Sequence, residues 1–337
     1  MIDEGLTTKN DRRASFVTRS GHSSWVGILF GLTAAAIWGG MYVVSDVVLE
    51  TIPPFTLLTI RLLLGIGSLG MMAALVSMRR GALSEAARGA AQSKGRGLSR
   101  QQILSLLGIG FVGYGLSLGS QFWGTRLSTA ANGALITSGA PVFIAIFAYG
   151  LLRESLTPAR IVALALATIG VVIVVFDPED VRLGADVMWG NIGLFGAAVT
   201  WGLYSVLVKR AATRGIPTLS ITVMAPAGGL FAAIPLAVWE LTLAGERVGT
   251  ITPGIVVGVL FLGIVCTALA VYLWNKAFEL LDATAASLLF FAQPIVGAVL
   301  SAWLLAEPLG VQFFLGGALI LLGVLLVSLP MNKGSAS

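Results

Sequence analysis

Two ionisable side chains lie within long apolar runs of the sequence. Asp46 falls near the end of the run 25–48, and Arg61 falls near the start of the run 55–78. A charge at the centre of a lipid bilayer costs roughly 2.5–3.5 kcal/mol on insertion scales, so such residues generally serve a function. Either Asp46 and Arg61 form a structural ion pair, or Asp46 takes up and releases a proton as part of the protein's activity. The sequence leaves both alternatives open.

Aromatic and polar side chains recur at helical spacing in several of these runs. Residues three, four or seven positions apart share one face of an α-helix. Such faces predict the wall of an aromatic, weakly polar chamber that suits a zwitterionic or amphipathic solute; the alternative is hydrogen bonding and packing between helices. The candidate lining residues on these faces are Trp38, Tyr42, Tyr114, Gln121, Trp201 and Tyr204, with Ser287 and Gln293 as further polar positions.

Two prolines lie in the middle of apolar runs at matching positions. Pro141 and Pro294 each remove a backbone hydrogen bond and are expected to kink a helix. Kinked helices at corresponding positions of two halves are a good indicator of a transport site near the membrane midplane. Ser138 and Phe291, each three residues before a proline, are therefore additional candidates for the lining.

The residue inventory argues against several other kinds of chemistry. With one Cys and one His, the chain offers no basis for a disulfide framework, a metal site or a histidine proton relay, and we expect no cofactor. Gly108, Gly110 and Gly113 match a dinucleotide-binding pattern, but they lie inside an apolar run with no strand before them. An intramembrane enzyme acting on lipids would need clustered His, Asp or Glu. A strongly anionic solute, as in a nucleotide-sugar exchanger, would need more cations than Arg61.

Composition identifies the medium that surrounds these residues. The chain has 337 residues, of which 56% are hydrophobic and 11% charged, and its mean hydropathy is +0.92. Soluble domains carry about 25% charged residues. A helix needs roughly 20 apolar residues to cross a bilayer, and ten such segments can be marked. We number them one to ten: 25–48, 55–78, 103–125, 130–152, 161–176, 188–208, 219–243, 255–275, 283–305 and 311–329.

The distribution of Lys and Arg predicts the orientation of these segments. If the N-terminus is cytoplasmic, nearly all basic residues outside the segments face the cytoplasm, which is the usual bias. The inside then holds a basic tail 1–24, a basic loop 79–102 and the tail 331–337, whereas the acidic loop 178–187 lies outside. We expect a multi-pass protein of the cytoplasmic membrane with both termini inside. The net charge of +5 reflects this topology and not the binding of nucleic acid.

The second half of the sequence repeats the first. Residues recur 153 positions later: Ala130, Pro141, Glu154 and Gly170 reappear as Ala283, Pro294, Glu307 and Gly323. Because each repeat, 25–177 and 188–330, contains an odd number of segments, the second must enter the membrane from the opposite side. Inverted repeats are typical of secondary transporters that work by alternating access. The sequence contains no P-loop pattern of the kind that binds nucleotides, so we do not expect ATP to drive transport.

The ordered set of landmarks resembles the EamA-type repeat of the drug/metabolite transporter superfamily. Trp38-Gly39, Pro54, Arg61, Pro141 and Glu154 carry the resemblance in the first half, and Trp201-Gly202, Pro294 and Glu307 carry it in the second. Met224 stands near the place that corresponds to Arg61. The resemblance implies ten helices around a central cavity, with segments five and ten peripheral. It also implies outward transport of small organic metabolites such as amino acids or drug-like compounds.

The resemblance adds two lining candidates. Tyr272 and Asn275, with Trp274 between them, are similar to a Tyr-x-x-Trp-Asn stretch of aromatic amino-acid exporters. The expected partners are a small-molecule substrate and the lipid bilayer, with proton coupling and a homodimer left open.

Overall fold

A computed structural model describes residues 7–86, 98–128, 133, 136–175, 185–305 and 311–328 of the chain. Regular structure in these ranges is helical throughout, as the apolar runs predict. The helical elements are Thr7–Leu49, Pro54–Ala86, Arg100–Leu127, Ala140–Leu152, Pro158–Val175, Ala185–Thr213, Thr218–Thr242, Pro253–Leu280, Ala283–Leu288, Leu289–Phe291, Ala292–Leu305 and Val311–Ser328. The acidic loop 178–187 and the centre of the basic loop 79–102 lie mostly outside the described residues.

Within the part of the chain that the structure describes, six helical stretches are long and apolar enough to cross a bilayer. They are Ser24–Leu49, Pro54–Met72, Arg100–Leu127, Asp186–Thr213, Thr218–Thr242 and Pro253–Leu280. Four shorter apolar helices, Ala140–Leu152, Pro158–Ile173, Ala283–Gly297 and Phe314–Gly323, correspond to segments four, five, nine and ten.

Helix ends follow ordinary capping chemistry. Ser99 accepts a hydrogen bond from the backbone of Gln102, whose side chain bonds back to Ser99, so segment three begins with a capping box. Thr252 caps Pro253–Leu260 by accepting from the Ile255 N–H. The first helix begins at Thr7, well before Trp25, because no proline interrupts the basic tail.

The helices are interrupted near both mid-segment prolines. Ser138 and Gly139 form a turn directly before the helix that contains Pro141, and a 3₁₀ turn, Leu289–Phe291, precedes the helix that contains Pro294. The sequence did not predict three π-helical stretches, Phe111–Leu118, Ala148–Leu152 and Phe261–Leu269. Such stretches occur frequently at functional sites.

Contacts between the two halves occur in matching pairs: when a segment of the first half packs on one of the second, the equivalent segments of the opposite halves also pack together. Segment three packs on segment seven, and segment eight packs on segment two; segment one packs on nine, and segment four packs on six. Glycine permits the closest of these contacts. A Cβ atom at Gly110 would lie 1.6 Å from the carbonyl oxygen of Ala225, so the two backbones touch directly.

Buried apolar residues form two clusters. The larger one surrounds Trp38, Trp201 and Trp274. The smaller one lies between segments four, five, nine and ten and includes Leu164 and Phe291. Many large apolar side chains point outward instead, as expected for a surface that faces lipid.

Candidate functional site

A small cavity lies at the centre of the larger cluster. Its volume is about 30 Å³, and its walls come from segments one, two, three, six, eight and nine. Sites for small molecules usually measure about 300 Å³ or more, so this conformation is contracted around its centre. The lining residues are Trp38, Met41, Arg61, Leu118, Gln121, Trp201, Val271, Phe290 and Gln293.

Trp38 organises the aromatic side of the cavity. Its ring contacts Trp201, Trp274 and Phe290 with centroid distances of 5.5, 5.4 and 6.0 Å. The contacts with Trp201 and Trp274 are edge-to-face, a geometry that adds stability beyond the burial of apolar area. The Trp38 indole N–H donates to the carbonyl oxygen of Cys266 at 3.0 Å. That carbonyl lies in the π-helical stretch of segment eight, so this irregular helix fixes the orientation of the Trp38 indole ring.

Arg61 forms the cationic wall of the cavity and is 1% exposed. Its Nε donates to Thr267 Oγ1 at 2.6 Å, and its Nη2 lies 3.4 Å from the sulfur of Met41. The guanidinium carbon lies 5.3 Å from the centre of the Phe122 ring, a cation–π contact. The side chain of Asp46 is outside the described residues, so the ion pair between Asp46 and Arg61 stays a prediction.

A directional hydrogen-bonded chain crosses the cavity wall. Thr137 Oγ1 donates to the Gly133 carbonyl at 2.5 Å, so the Tyr42 hydroxyl, at 2.5 Å, must donate to Thr137. Gln121 Nε2 in turn donates to the Tyr42 hydroxyl at 2.9 Å. This chain holds Gln121 in place at the cavity surface.

A second hydrogen-bonded cluster joins segments three, six, seven and eight. Thr222 donates to the backbone, so it accepts from Asn275 Nδ2 at 2.9 Å. The Tyr204 hydroxyl donates to Asn275 Oδ1 at 3.4 Å, and the Tyr114 hydroxyl lies 3.2 Å from that of Tyr204. These side chains are buried next to the cavity but do not line it. Their placement supports the wall.

The structure brings together part of the set that the sequence predicted. Trp38, Gln121 and Trp201 line the cavity, and Tyr42 reaches it through Gln121. Ser138 is buried at the turn before Pro141. Tyr272 is only partly buried, whereas Trp274 and Asn275 are fully buried, and its role in binding stays a prediction.

Phe291 and Phe290 differ from the expectation. Phe291 packs in the smaller cluster near Leu164, whereas Phe290 lines the cavity. The physical reason is the 3₁₀ turn Leu289–Phe291, since three residues per turn shift the faces relative to an α-helix. Helical periodicity extrapolated back from Pro294 therefore favours Phe291 over Phe290, and a role of Phe291 in binding stays a prediction. Met41, Leu118 and Val271 were also missed, because an apolar lining residue looks the same in sequence as a packing residue.

Carboxylates cap two helix starts away from the cavity. Glu154 accepts hydrogen bonds from the N–H groups of Ala283 and Thr284. A residue at the end of segment four thus caps the start of segment nine. Glu240 accepts from the N–H groups of Phe55 and Thr56 in the same way. A negative charge at a helix N-terminus is favourable.

Comparison with known proteins gives one consistent result. The sequence profile of the EamA-like transporter family matches residues 25–176 and again residues 188–329. The uncharacterized transporter YetK of Bacillus subtilis is 24% identical over 92% of this chain and 89% of that protein. An uncharacterized transporter of Archaeoglobus fulgidus is 24% identical over 91% of this chain and 98% of its own length.

The fold also has a counterpart among solved structures. One crystal structure superposes with a TM-score of 0.71 over 90% of this chain and 98% of that chain, at 22% identity. Two matches to one family profile agree with the duplication seen in the sequence, and the apolar helices are those of a membrane protein. The chain therefore belongs to the EamA-like transporter family.

Proposed function

We propose that the protein is a secondary transporter that moves small organic metabolites, such as amino acids or drug-like compounds, outward across the cytoplasmic membrane. The observation that carries this proposal is the central cavity, whose walls come from both repeats. Trp38 and Trp201 occupy corresponding places in segments one and six and contact each other there. A site shared by two repeats is what alternating access requires.

The proposed topology has ten spans in two inverted repeats, with both termini in the cytoplasm. The matching pairs of contacts between the two halves support this topology, because two repeats related by a two-fold axis make each contact twice. The four shorter helices would complete the spans of segments four, five, nine and ten. Basic residues on the proposed inner loops favour this orientation.

Polar contacts lie at both ends of the proposed pathway. Arg160 pairs with Asp282 at 2.8 Å on the proposed inner side, next to the Glu154 cap. Arg126 pairs with Glu246 at 2.9 Å on the proposed outer side. The proposed cycle opens one of these ends at a time, and the contracted cavity widens when a solute enters.

Counterflow in proteoliposomes tests the proposal. Purified protein would be reconstituted and challenged with labelled amino acids, nucleotide sugars and cationic drugs, with and without a pH gradient. We expect saturable exchange of at least one solute in the amino-acid or drug classes. Exchange should be lost in Trp201→Ala and kept in Trp25→Ala, whose side chain is 69% exposed. Conductance without saturable counterflow would contradict the proposal and indicate a channel.

A further inference from the structure

We infer that the cavity contains a carboxylate-binding site, in which Arg61 and Trp201 donate to the carboxylate and Gln293 accepts from a neighbouring donor group of the same solute. The inference rests on the proposed function, since it names the class of solute that the central cavity takes. Three buried polar atoms without a hydrogen-bond partner, all on described residues that line the cavity, carry it: Arg61 Nη1, Trp201 Nε1 and Gln293 Oε1.

Arg61 is a buried cation with an unused donor. Thr267 and Met41 take its Nε and Nη2, and a methionine sulfur is only a weak acceptor. Nη1 has no hydrogen-bond partner, and none of the acidic side chains described in the structure forms an ion pair with Arg61. A buried charge without a counter-charge is strongly unfavourable. The Phe122 ring offsets only part of this cost. An anionic ligand would supply the rest.

Trp201 and Gln293 define the shape of that ligand. The indole N–H of Trp201 can only donate, and the amide oxygen of Gln293 can only accept. Both side chains are more than nine-tenths buried. A carboxylate offers two acceptor oxygens for the donors on Arg61 and Trp201. A hydroxyl or ammonium group beside that carboxylate would donate to Gln293, as in a hydroxy acid or an amino acid.

The rest of the wall limits the solute further. Trp38, Phe290 and Val271 offer apolar surface, which suits an aromatic or aliphatic body. Among the described residues that line the cavity, Arg61 is the one cationic side chain. A diphosphate would bring more negative charge than this wall neutralises. The site therefore fits one carboxylate on an otherwise apolar molecule.

Binding to the purified full-length protein in detergent tests the inference without requiring transport. The probes are 3-phenylpropionate and L-phenylalanine, each with its amide, in which the carboxylate is replaced. Thermal unfolding is followed as each probe is added up to ~10 mM, a range that covers weak binding. We expect saturable stabilisation by at least one carboxylate. Its amide should bind about tenfold or more weakly, as expected when a charge-assisted hydrogen bond is lost.

Variants assign the effect to the site. Arg61→Gln should weaken carboxylate binding about tenfold or more. Trp201→Phe should also weaken it, although the aromatic ring is kept. If Arg61→Gln does not fold, Trp201→Phe tests the same site. Gln293→Leu should remove any preference for L-phenylalanine over 3-phenylpropionate. Arg214→Gln, which removes an exposed arginine in the loop after segment six, should bind as the unchanged protein does.

Several outcomes would overturn the inference. They are no stabilisation by either carboxylate, equal stabilisation by the amides, equal stabilisation by inorganic phosphate or chloride, and unchanged binding in both Arg61→Gln and Trp201→Phe. The counterflow assay separates this result from the proposed function. Carboxylate binding without counterflow would support the carboxylate site and contradict the proposed transporter function. Counterflow of other solutes without carboxylate binding would support the transporter function and contradict the carboxylate site.

Discussion

At the scale of single residues, Asp46 is where the sequence predicts coupling. Asp46→Asn removes the only group at that position that can bind a proton, and Asn keeps its size. If Asp46 takes up the coupled proton, transport by Asp46→Asn should no longer respond to an imposed pH gradient. Uptake into proteoliposomes at several external pH values measures this. An unchanged response would assign Asp46 a structural role, such as the ion pair with Arg61.

Tyr42 is expected to stabilise the cavity wall through its hydroxyl. Tyr42→Phe deletes the link between Gln121 and Thr137 and leaves the buried Gln121 amide without its partner. The expected cost is about 1–3 kcal/mol of unfolding free energy, the usual penalty for an unsatisfied buried donor. Thermal unfolding in detergent gives the comparison with Tyr149→Phe, whose exposed ring should tolerate the change. Equal stability of the two variants would contradict the importance of the chain.

Residue types were easier to predict than residue neighbours. Trp38, Gln121 and Trp201 could be placed in the cavity from sequence, because polar and aromatic groups at helical spacing are rare in apolar runs. Phe290 could not be placed there, since the local 3₁₀ turn decides whether Phe290 or Phe291 lines the cavity. Which nitrogens of Arg61 are bound depends on Thr267 and Met41, which come from other segments, so no local pattern in the sequence reports it.

At the scale of helices, Gly110 fixes the distance between segments three and seven. A methyl group there would meet the Ala225 backbone at 1.6 Å, and backbone cannot move aside as a flexible side chain can. Gly110→Ala should therefore destabilise the protein by about 1–3 kcal/mol or prevent assembly. Gly108→Ala is the control on the same helix, because nothing lies within 4 Å of its added methyl. Helix propensity should make Gly108→Ala neutral or up to about 1 kcal/mol more stable.

The Glu154 cap joins the end of one segment to the start of another. Glu154→Ala leaves the first N–H groups of segment nine without their acceptor and should cost about 0.5–2 kcal/mol. Hydrogen exchange of amides at 283–286 should rise more than exchange elsewhere. Glu50→Ala, at an exposed position, should leave that exchange unchanged. Equal exchange in both variants would show that the cap is not needed to hold the helix start.

The positions of the described helices were readable from sequence, whereas the type of helix was not. The apolar runs and breakers located the described helices to within a few residues at most ends, with the long start at Thr7 as the main difference. The π-helical stretch Phe261–Leu269 has no mark in the sequence. Its hydrogen bonds skip one residue more than those of an α-helix, and an apolar run accommodates either pattern.

At the scale of the whole molecule, the proposed orientation can be tested with the single native cysteine as background. Cys266 is buried, so a membrane-impermeant thiol reagent should label it little. Cysteines introduced at Ser155 and Thr250, both exposed, should be reached from opposite sides. In intact cells we expect labelling of Thr250→Cys alone, and in inverted vesicles of Ser155→Cys alone. The opposite result would reverse the proposed topology.

The two walls of the cavity are linked through one irregular stretch of helix. Trp38 bonds to the carbonyl of Cys266, and Arg61 bonds to the hydroxyl of the next residue, Thr267, which itself bonds back five residues to Leu262. Both partners are presented by the π-helical backbone of Phe261–Leu269. A one-residue deletion that restored an α-helical register there would move both partners together. The aromatic wall and the cationic wall are thus set by a single backbone register, although Trp38 and Arg61 belong to different segments.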